Sequence, residues 1–343
     1  MAVLQVFSAI IGWIHTLTIF AYLPELTSDP ILLVKWTANF HLLQYISMIL
    51  FLPTMVFVIR ILKIDDNDII SARVALGTAF VISATLFGWS WTSLIQPRCE
   101  LQSLPEGSSL WSIGFLKVWR TGKELFHRYR ALMWFFINVS LVEAAQASLA
   151  AISLTYMTDK LQLTVTENGT AIFLLFIFAA FGTGIGQVSV KFMNPIRSNQ
   201  LCQLFALSAT TIALFILTGP GQQFQTYIVA SLWGITAGWK NTVERFTITQ
   251  LIPKDQDAEM MGFYLFASQV LIWCPTLIFT TLNEAGYDQR IGLGMLNVFF
   301  LGGVICLGLM GSYDKAKQAA MPNRNVVNVI EHSIALEQEV PGK

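Results

Sequence analysis

Charge is what this chain has least of. Asp, Glu, Lys and Arg make up 12% of its 343 residues, about half the share of an ordinary soluble domain. So few charges cannot cover a water-facing surface, which excludes a soluble globular protein. Cysteine is also sparse. The four thiols, Cys99, Cys202, Cys274 and Cys306, are widely spaced with no C-x-x-C pair, which argues against a disulfide framework or a zinc site and for thiols packed in the core or against lipid. The formal net charge is zero, so there is no basic footprint for nucleic acid. Metal-ligand spacings, H-E-x-x-H, G-x-S-x-G and the P-loop pattern are all missing; no catalytic residue, metal or cofactor is expected and the chain does not read as an enzyme. The run Phe181-Gly182-Thr183-Gly184-Ile185-Gly186 follows no soluble strand, and small residues inside an apolar run point to close helix packing.

What the chain has in abundance is apolar length. Hydrophobic residues are 54% of it, and polar breaks cut it into about nine runs long enough to span a bilayer. They cover 2–23, 33–62, 70–95, 131–157, 170–193, 200–217, 225–252, 260–282 and 291–310. Each must be helical, because backbone polar groups in hydrocarbon are satisfied only within the segment. The fold class is all-α, a polytopic transmembrane bundle. Residues 1–22 lack a basic leader and a small-residue cleavage site, so the first run is expected to stay as a span.

Between the third and fourth runs, 96–130 carries Arg98, Lys117, Arg120, Lys123, Arg128 and Arg130, and its middle reads as a helix lying in the interface with Trp111 and Trp119 at headgroup depth. Placing this loop in the cytoplasm also puts Lys191, Arg197, Lys254, Lys315, Lys317 and Arg324 there. The bias predicts a cytoplasmic C-terminus. Asn168-Gly169-Thr170 is a glycosylation sequon on the opposite side. The expected layout is an N-terminal bundle over 1–95, the central loop, a six-helix bundle over 131–310, and a polar tail over 311–343. Three runs, a basic loop and six runs match a twelve-helix transporter of two halves whose first three helices are absent.

Particular residues carry a family resemblance. Ala21-Tyr22-Leu23-Pro24-Glu25-Leu26, then Arg245, Leu251-Ile252-Pro253, Ala258-Glu259-Met260-Met261-Gly262-Phe263-Tyr264 and Trp273 resemble signatures of the autophagy-related vacuolar amino-acid effluxers, a branch of the major facilitator superfamily. The resemblance implies that the runs correspond to helices 4 to 12 of that design. It also implies a vacuolar or lysosome-like membrane, a small-molecule solute such as an amino acid, and a cavity lined by helices 1, 4, 7 and 10. The chain departs from the pattern at Val190, in place of an acidic residue, at Gln269, in place of a lysine, and at Trp273-Cys274-Pro275-Thr276.

Ionisable groups at membrane depth usually face a cavity or a partner. Here they concentrate in helix 10 with Lys240, Asn241, Glu244 and Arg245, and in helix 7 with Glu143 and Gln146; His15 lies in helix 4 and His41 in helix 5. At about 1.5 Å per residue, Lys240 and Glu143 lie at comparable depth. Spacing of four puts Lys240 with Glu244 and Asn241 with Arg245 on neighbouring ridges. Two readings stay open. In one, Lys240–Glu244 and Arg245–Glu143 are structural pairs pinning helix 10 to helix 7. In the other, Arg245 or Lys240 receives a substrate carboxylate while Glu143 balances charge or takes up a proton, with His15 as a possible relay. The chain therefore reads as a secondary transporter of small organic solutes, or alternatively as a non-transporting membrane scaffold.

Overall fold

A computed structural model describes residues 12, 30–62, 68–93, 122–123, 125, 129–252 and 257–320. Their regular structure is entirely α-helical. The helices are α1 (Pro30–Ile61), α2 (Asp68–Ser93), α3 (Arg130–Asp159), α4 (Val165–Phe192), α5 (Pro195–Ile216), α6 (Gln223–Leu251), α7 (Asp257–Val270), α8 (Trp273–Glu284), α9 (Gln289–Leu309) and α10 (Tyr313–Ala320). Seven segments among the described residues are long and apolar enough to cross a membrane, with 259–284 counted as one. The protein is an integral, multi-pass membrane protein. Of the expected runs, 2–23 lies outside the described residues, as do the interfacial helix of the central loop and most of the tail. The run that became α6 is not among the seven, because Lys240, Asn241, Glu244, Arg245 and a series of threonines lower its hydropathy. A helix this polar reaches membrane depth only inside a shell of other helices.

Two units are distinguishable: residues 1–45 with 118–343, and residues 46–117. In the smaller unit, Thr54, Thr78, Thr85 and Thr92 each return the hydroxyl proton to the carbonyl four residues back. Such internal bonds let threonine sit in an apolar helix without an unsatisfied donor.

In the larger unit, helix ends lie where short polar signals stand, and the apolar runs alone misplaced them. α4 starts five residues before the expected 170. Thr164 Oγ1 accepts from the Glu167 N–H at 3.3 Å while Glu167 Oε2 accepts from the Thr164 N–H at 2.7 Å, a capping box legible as T-x-x-E. α5 begins at Pro195, whose missing N–H costs nothing in a first turn, with the Asn194 side chain accepting from Ile196 N–H. α8 ends into Gly286, at φ +84°, a backbone region glycine reaches without a Cβ clash.

Asp288 caps α9 by accepting from the Arg290 N–H at 3.0 Å and pairs with Lys160 at 3.3 Å. The Arg290 N–H, with help from Lys160, holds its carboxyl below the usual range. A depressed carboxyl pKa stabilises the fold above the unfolded pKa and loses that contribution as pH falls through the folded one. Asp288→Ala should cost about 1 kcal/mol at neutral pH, whereas Asp288→Asn keeps the cap and loses only the exposed, screened ion pair. Denaturant unfolding of both variants checks this. The difference between wild type and Asp288→Asn should vanish under acid.

The sequon residue Asn168 sits in the first turn of α4, buried, donating to Thr158 Oγ1 at 3.1 Å. An amide so engaged inside a helix is a poor glycosylation acceptor.

Helix contacts are built from small residues. A Cβ on Gly238 would overlap the Ala179 carbonyl, one on Gly234 the Leu175 carbonyl, and one on Gly182 the Ile235 carbonyl. The glycines of α4 and α6 thus let the two backbones touch, the most extensive helix pairing in the molecule. Gly182 and Gly186 of the glycine run face α6, while Gly184 has nothing within 4 Å. Two apolar clusters fill the unit. One joins Val142 and Leu149 to Ala209, Trp233 and Phe300; the other joins Phe135 and Val139 to Ile248, Met260, Tyr264 and Leu307. Along α6, residues between Trp233 and Ile248 belong to neither. The polar residues of α6 occupy this gap.

The expected run 260–282 is a broken helix. Pro275 has no N–H and its ring collides with the carbonyl four residues back, that of Leu271, so the chain makes a turn at 271–272. The Leu271 carbonyl accepts instead from the Cys274 N–H at 3.0 Å. Ser148 of α3 braces the break from outside, donating to the Ile272 carbonyl at 3.1 Å, and Thr276 donates to Ser148 at 3.1 Å.

Candidate functional site

The site lies in the gap between the two apolar clusters. α6 supplies Lys240, Asn241, Glu244 and Arg245 from successive turns, as a spacing of four requires. α3 supplies Glu143 from near its middle, α7 supplies Tyr264, and the first half of α1 supplies His41, Gln44 and Tyr45. Small residues make this convergence possible, because Gly234 and Gly238 bring α6 against α4 and leave its opposite side to α3 and α7.

Lys240 is the centre of charge. Its ammonium is in direct contact with Glu143 Oε1 and lies 3.5 Å from Glu244 Oε2. Glu244 also accepts from the Tyr264 hydroxyl at 2.5 Å. The Lys240 and Glu244 side chains are 2% and 1% exposed, whereas Glu143 keeps 22%. Burial of an ammonium is tolerable only beside opposite charge, and two carboxylates provide it. The residual exposure of Glu143 sets it apart from the other two members of the triad, which are sealed.

Glu143 is therefore partnered by Lys240, where the structural reading of the sequence had set Arg245 against it. Arg245 instead lays its guanidinium over the Tyr264 ring, 4.3 Å from its centroid, a cation–π arrangement. Tyr264 thus holds Glu244 through its hydroxyl and Arg245 through its face. Asn241 donates to the Tyr45 hydroxyl at 2.9 Å, and the Tyr45 ring lies 6.4 Å from that of Phe176 on α4. His41 is buried, with Nδ1 at 3.4 Å from Gln44 Oε1 and, among the described residues, no hydrogen-bond partner for Nε2. Gln146 is half-buried one turn along α3 from Glu143.

Of the described signature residues, Arg245 and Tyr264 join the charged cluster. Glu259 and Gly262 are half-buried on α7, and Trp273 is exposed at the helix break, donating to the Val270 carbonyl at 2.9 Å. His15, Pro24, Glu25 and Pro253 lie outside the described residues. Tyr45 and Gln44 escaped the sequence reading, although Thr37, His41, Gln44 and Tyr45 recur at helical spacing in a largely apolar run. That periodicity was the available signal. The three described thiols are free, and Cys202 Sγ donates to the Thr236 carbonyl at 3.4 Å.

A second buried polar cluster sits on the far side of α3. Asn138 donates to Gln203 Oε1 at 3.1 Å and to the Gly303 carbonyl at 2.9 Å, and Gln203 donates to Asn199 at 3.3 Å. It ties α3, α5 and α9 together without formal charge.

Comparison with known proteins places this architecture. The crystal structure of the E. coli fucose:proton symporter FucP, in a variant form, superposes with a TM-score of 0.51 at 13% identity, covering 71% of this chain and 57% of that one. A structure of the major facilitator superfamily transporter FucP in the outward conformation gives a TM-score of 0.46 at 13% identity over 71% of this chain and 56% of that one. The chain thus spans little more than half the length of these transporters. At this identity the first likeness shows the fold alone, the helical-bundle fold of that symporter. No curated protein sequence matches the chain. The model of the family described as vacuole effluxer Atg22 like matches residues 37–321, a stretch that holds the described site from His41 to Tyr264 and most of the chain besides, and the protein belongs to that family.

Proposed function

We propose that this protein is a secondary transporter of small organic solutes, moving amino acids out of a vacuole-like compartment by exposing a midplane site alternately to each side. The observation that carries the reading is the Glu143–Lys240–Glu244 triad with Arg245 beside it. A partly exposed carboxylate at the middle of a membrane helix is costly unless it faces a cavity. The formal charges of Glu143, Lys240, Glu244 and Arg245 sum to zero, so a zwitterionic solute can enter without leaving net charge in the membrane. Its carboxylate would take a place beside Lys240 or Arg245, and its ammonium would meet Glu143. The family's name supports efflux from the vacuole, and the loop charges support a cytoplasmic C-terminus.

Efflux of labelled amino acids from vesicles reconstituted with the full chain tests this. Glu143→Gln should lower efflux tenfold or more, about the effect of losing one charge-assisted contact of 1.5 kcal/mol or above. The variant should remain folded because Lys240 keeps Glu244. Wild-type protein that is inert across an amino-acid panel, or Glu143→Gln protein with unchanged rates, overturns the assignment.

A further inference from the structure

Three long helices reach one boundary together: α3 begins at Arg130, α6 ends at Leu251 and α9 ends at Leu309. Between them and α10 lies a cavity of about 420 Å³, within the usual size of a small-ligand site. Arg130 and Lys315 line it, and among the described residues no carboxylate does. The first turn of α3 forms one wall, and its Tyr129 supplies no side-chain cap. A neighbouring cavity of about 370 Å³ on the other side of the α9–α10 joint carries Arg197, but there Asp314 shares the lining. Among the described residues, cationic lining without an acidic one thus marks the first cavity and not the second.

Its chemistry is two-sided. Arg130, Lys315 and the Ser312 hydroxyl make a polar mouth, while Leu132, Leu251 and Met310 make an apolar floor continuous with the ends of the membrane helices. A freely soluble anion needs only the first. A phosphate carrying acyl chains uses both, since its tails remain in the hydrocarbon that α3 and α9 enter.

We propose that this cavity binds the phosphorylated headgroup of an anionic phospholipid. Arg130 takes phosphate oxygens with its forked guanidinium, and Lys315 adds a second positive charge from α10. Occupancy ties α10 to the start of α3, so the lipid acts as a clamp at the membrane boundary, remote from the Glu143–Lys240 site.

Native mass spectrometry of the detergent-purified full chain, titrated with phosphatidylinositol monophosphate, phosphatidylcholine or inorganic phosphate, tests this. The phosphorylated lipid should bind well ahead of the other two. Arg130→Gln/Lys315→Gln should weaken it about 30-fold, as expected for two basic side chains near an anionic surface, while Arg130→Lys/Lys315→Arg should retain most of it. Equal binding of phosphatidylcholine overturns the proposal, as does unchanged binding to the glutamine variant. Inorganic phosphate binding as tightly as the lipid overturns the lipid assignment. If the glutamine variant does not purify, salt titration of the wild type decides: binding that ignores ionic strength sinks the idea.

Discussion

Lys240→Met is expected to be the most damaging single change at the charged site, costing about 3–5 kcal/mol, the usual penalty for removing one partner of a buried ion pair. Methionine is close in volume, so no large cavity opens. The loss comes from leaving Glu143 and Glu244 facing one another without the ammonium that contacts both. Denaturant unfolding in detergent, followed by tryptophan fluorescence, measures it. Adding Glu143→Gln and then Glu244→Gln to Lys240→Met should recover stability stepwise, because an uncharged, hydrogen-bonded amide avoids the cost of a stranded carboxylate. Glu244→Gln should matter more for recovery than Glu143→Gln, since the Glu244 side chain is 1% exposed and that of Glu143 is 22% exposed. A Lys240→Met protein as stable as wild type would mean that the triad carries no charge in the folded state. It would also remove the basis for exchange with a zwitterionic solute.

Gly238→Ala should be comparably severe, for a different reason. Its added methyl would overlap the Ala179 carbonyl, and the Thr183 N of the same helix lies only 2.8 Å from that position. Backbone on the facing helix cannot rotate away as a side chain can, so α4 and α6 must separate. Overpacking of this kind costs about 1–3 kcal/mol and occasionally more. Separation also moves Lys240, two residues along α6, relative to Glu143 on α3, so transport should fall even where the fold survives. Gly184→Ala is the control: nothing lies within 4 Å of the added carbon, and the change should be neutral or slightly stabilising through helix propensity. Unfolding measurements on the two variants under one condition give the comparison. Equal stability would show that α4 and α6 do not rely on backbone contact.

Both predictions rest on residues that stand out in the sequence, yet their partners do not. Lys240, Glu244 and Glu143 are visible as charges where charge is rare, and helical spacing alone puts Lys240 and Glu244 on one face. That Lys240 and not Arg245 meets Glu143 is decided by the rotation of α6 about its axis, which the glycines facing α4 set. Tyr264 illustrates the same limit. It stands in a recognisable signature, but a one-dimensional pattern does not say that its hydroxyl holds Glu244 while its ring carries Arg245. The break at 271–272 is intermediate: Pro275 announces that a hydrogen bond is lost, but Ser148, which braces the break at the Ile272 carbonyl, is more than a hundred residues away. Helix starts were misjudged where hydropathy outweighed short polar signals, as at Thr164-x-x-Glu167.

Composition by itself determined the solvent and the secondary structure. A chain this poor in charge must place most of its surface in lipid, and in lipid only a helix or a closed barrel satisfies the backbone; the length of the apolar runs chose the helix. Ionisable residues inside those runs also marked, unaided, the charges that the structure gathers into one cluster. Tertiary structure alone decided which charges meet, which carboxylate of the triad keeps an exposed edge, and which cations line a cavity with no acid among its described residues. Those outcomes depend on helix rotation and close approach. Both are fixed by contacts between residues far apart in the chain, which no local pattern encodes.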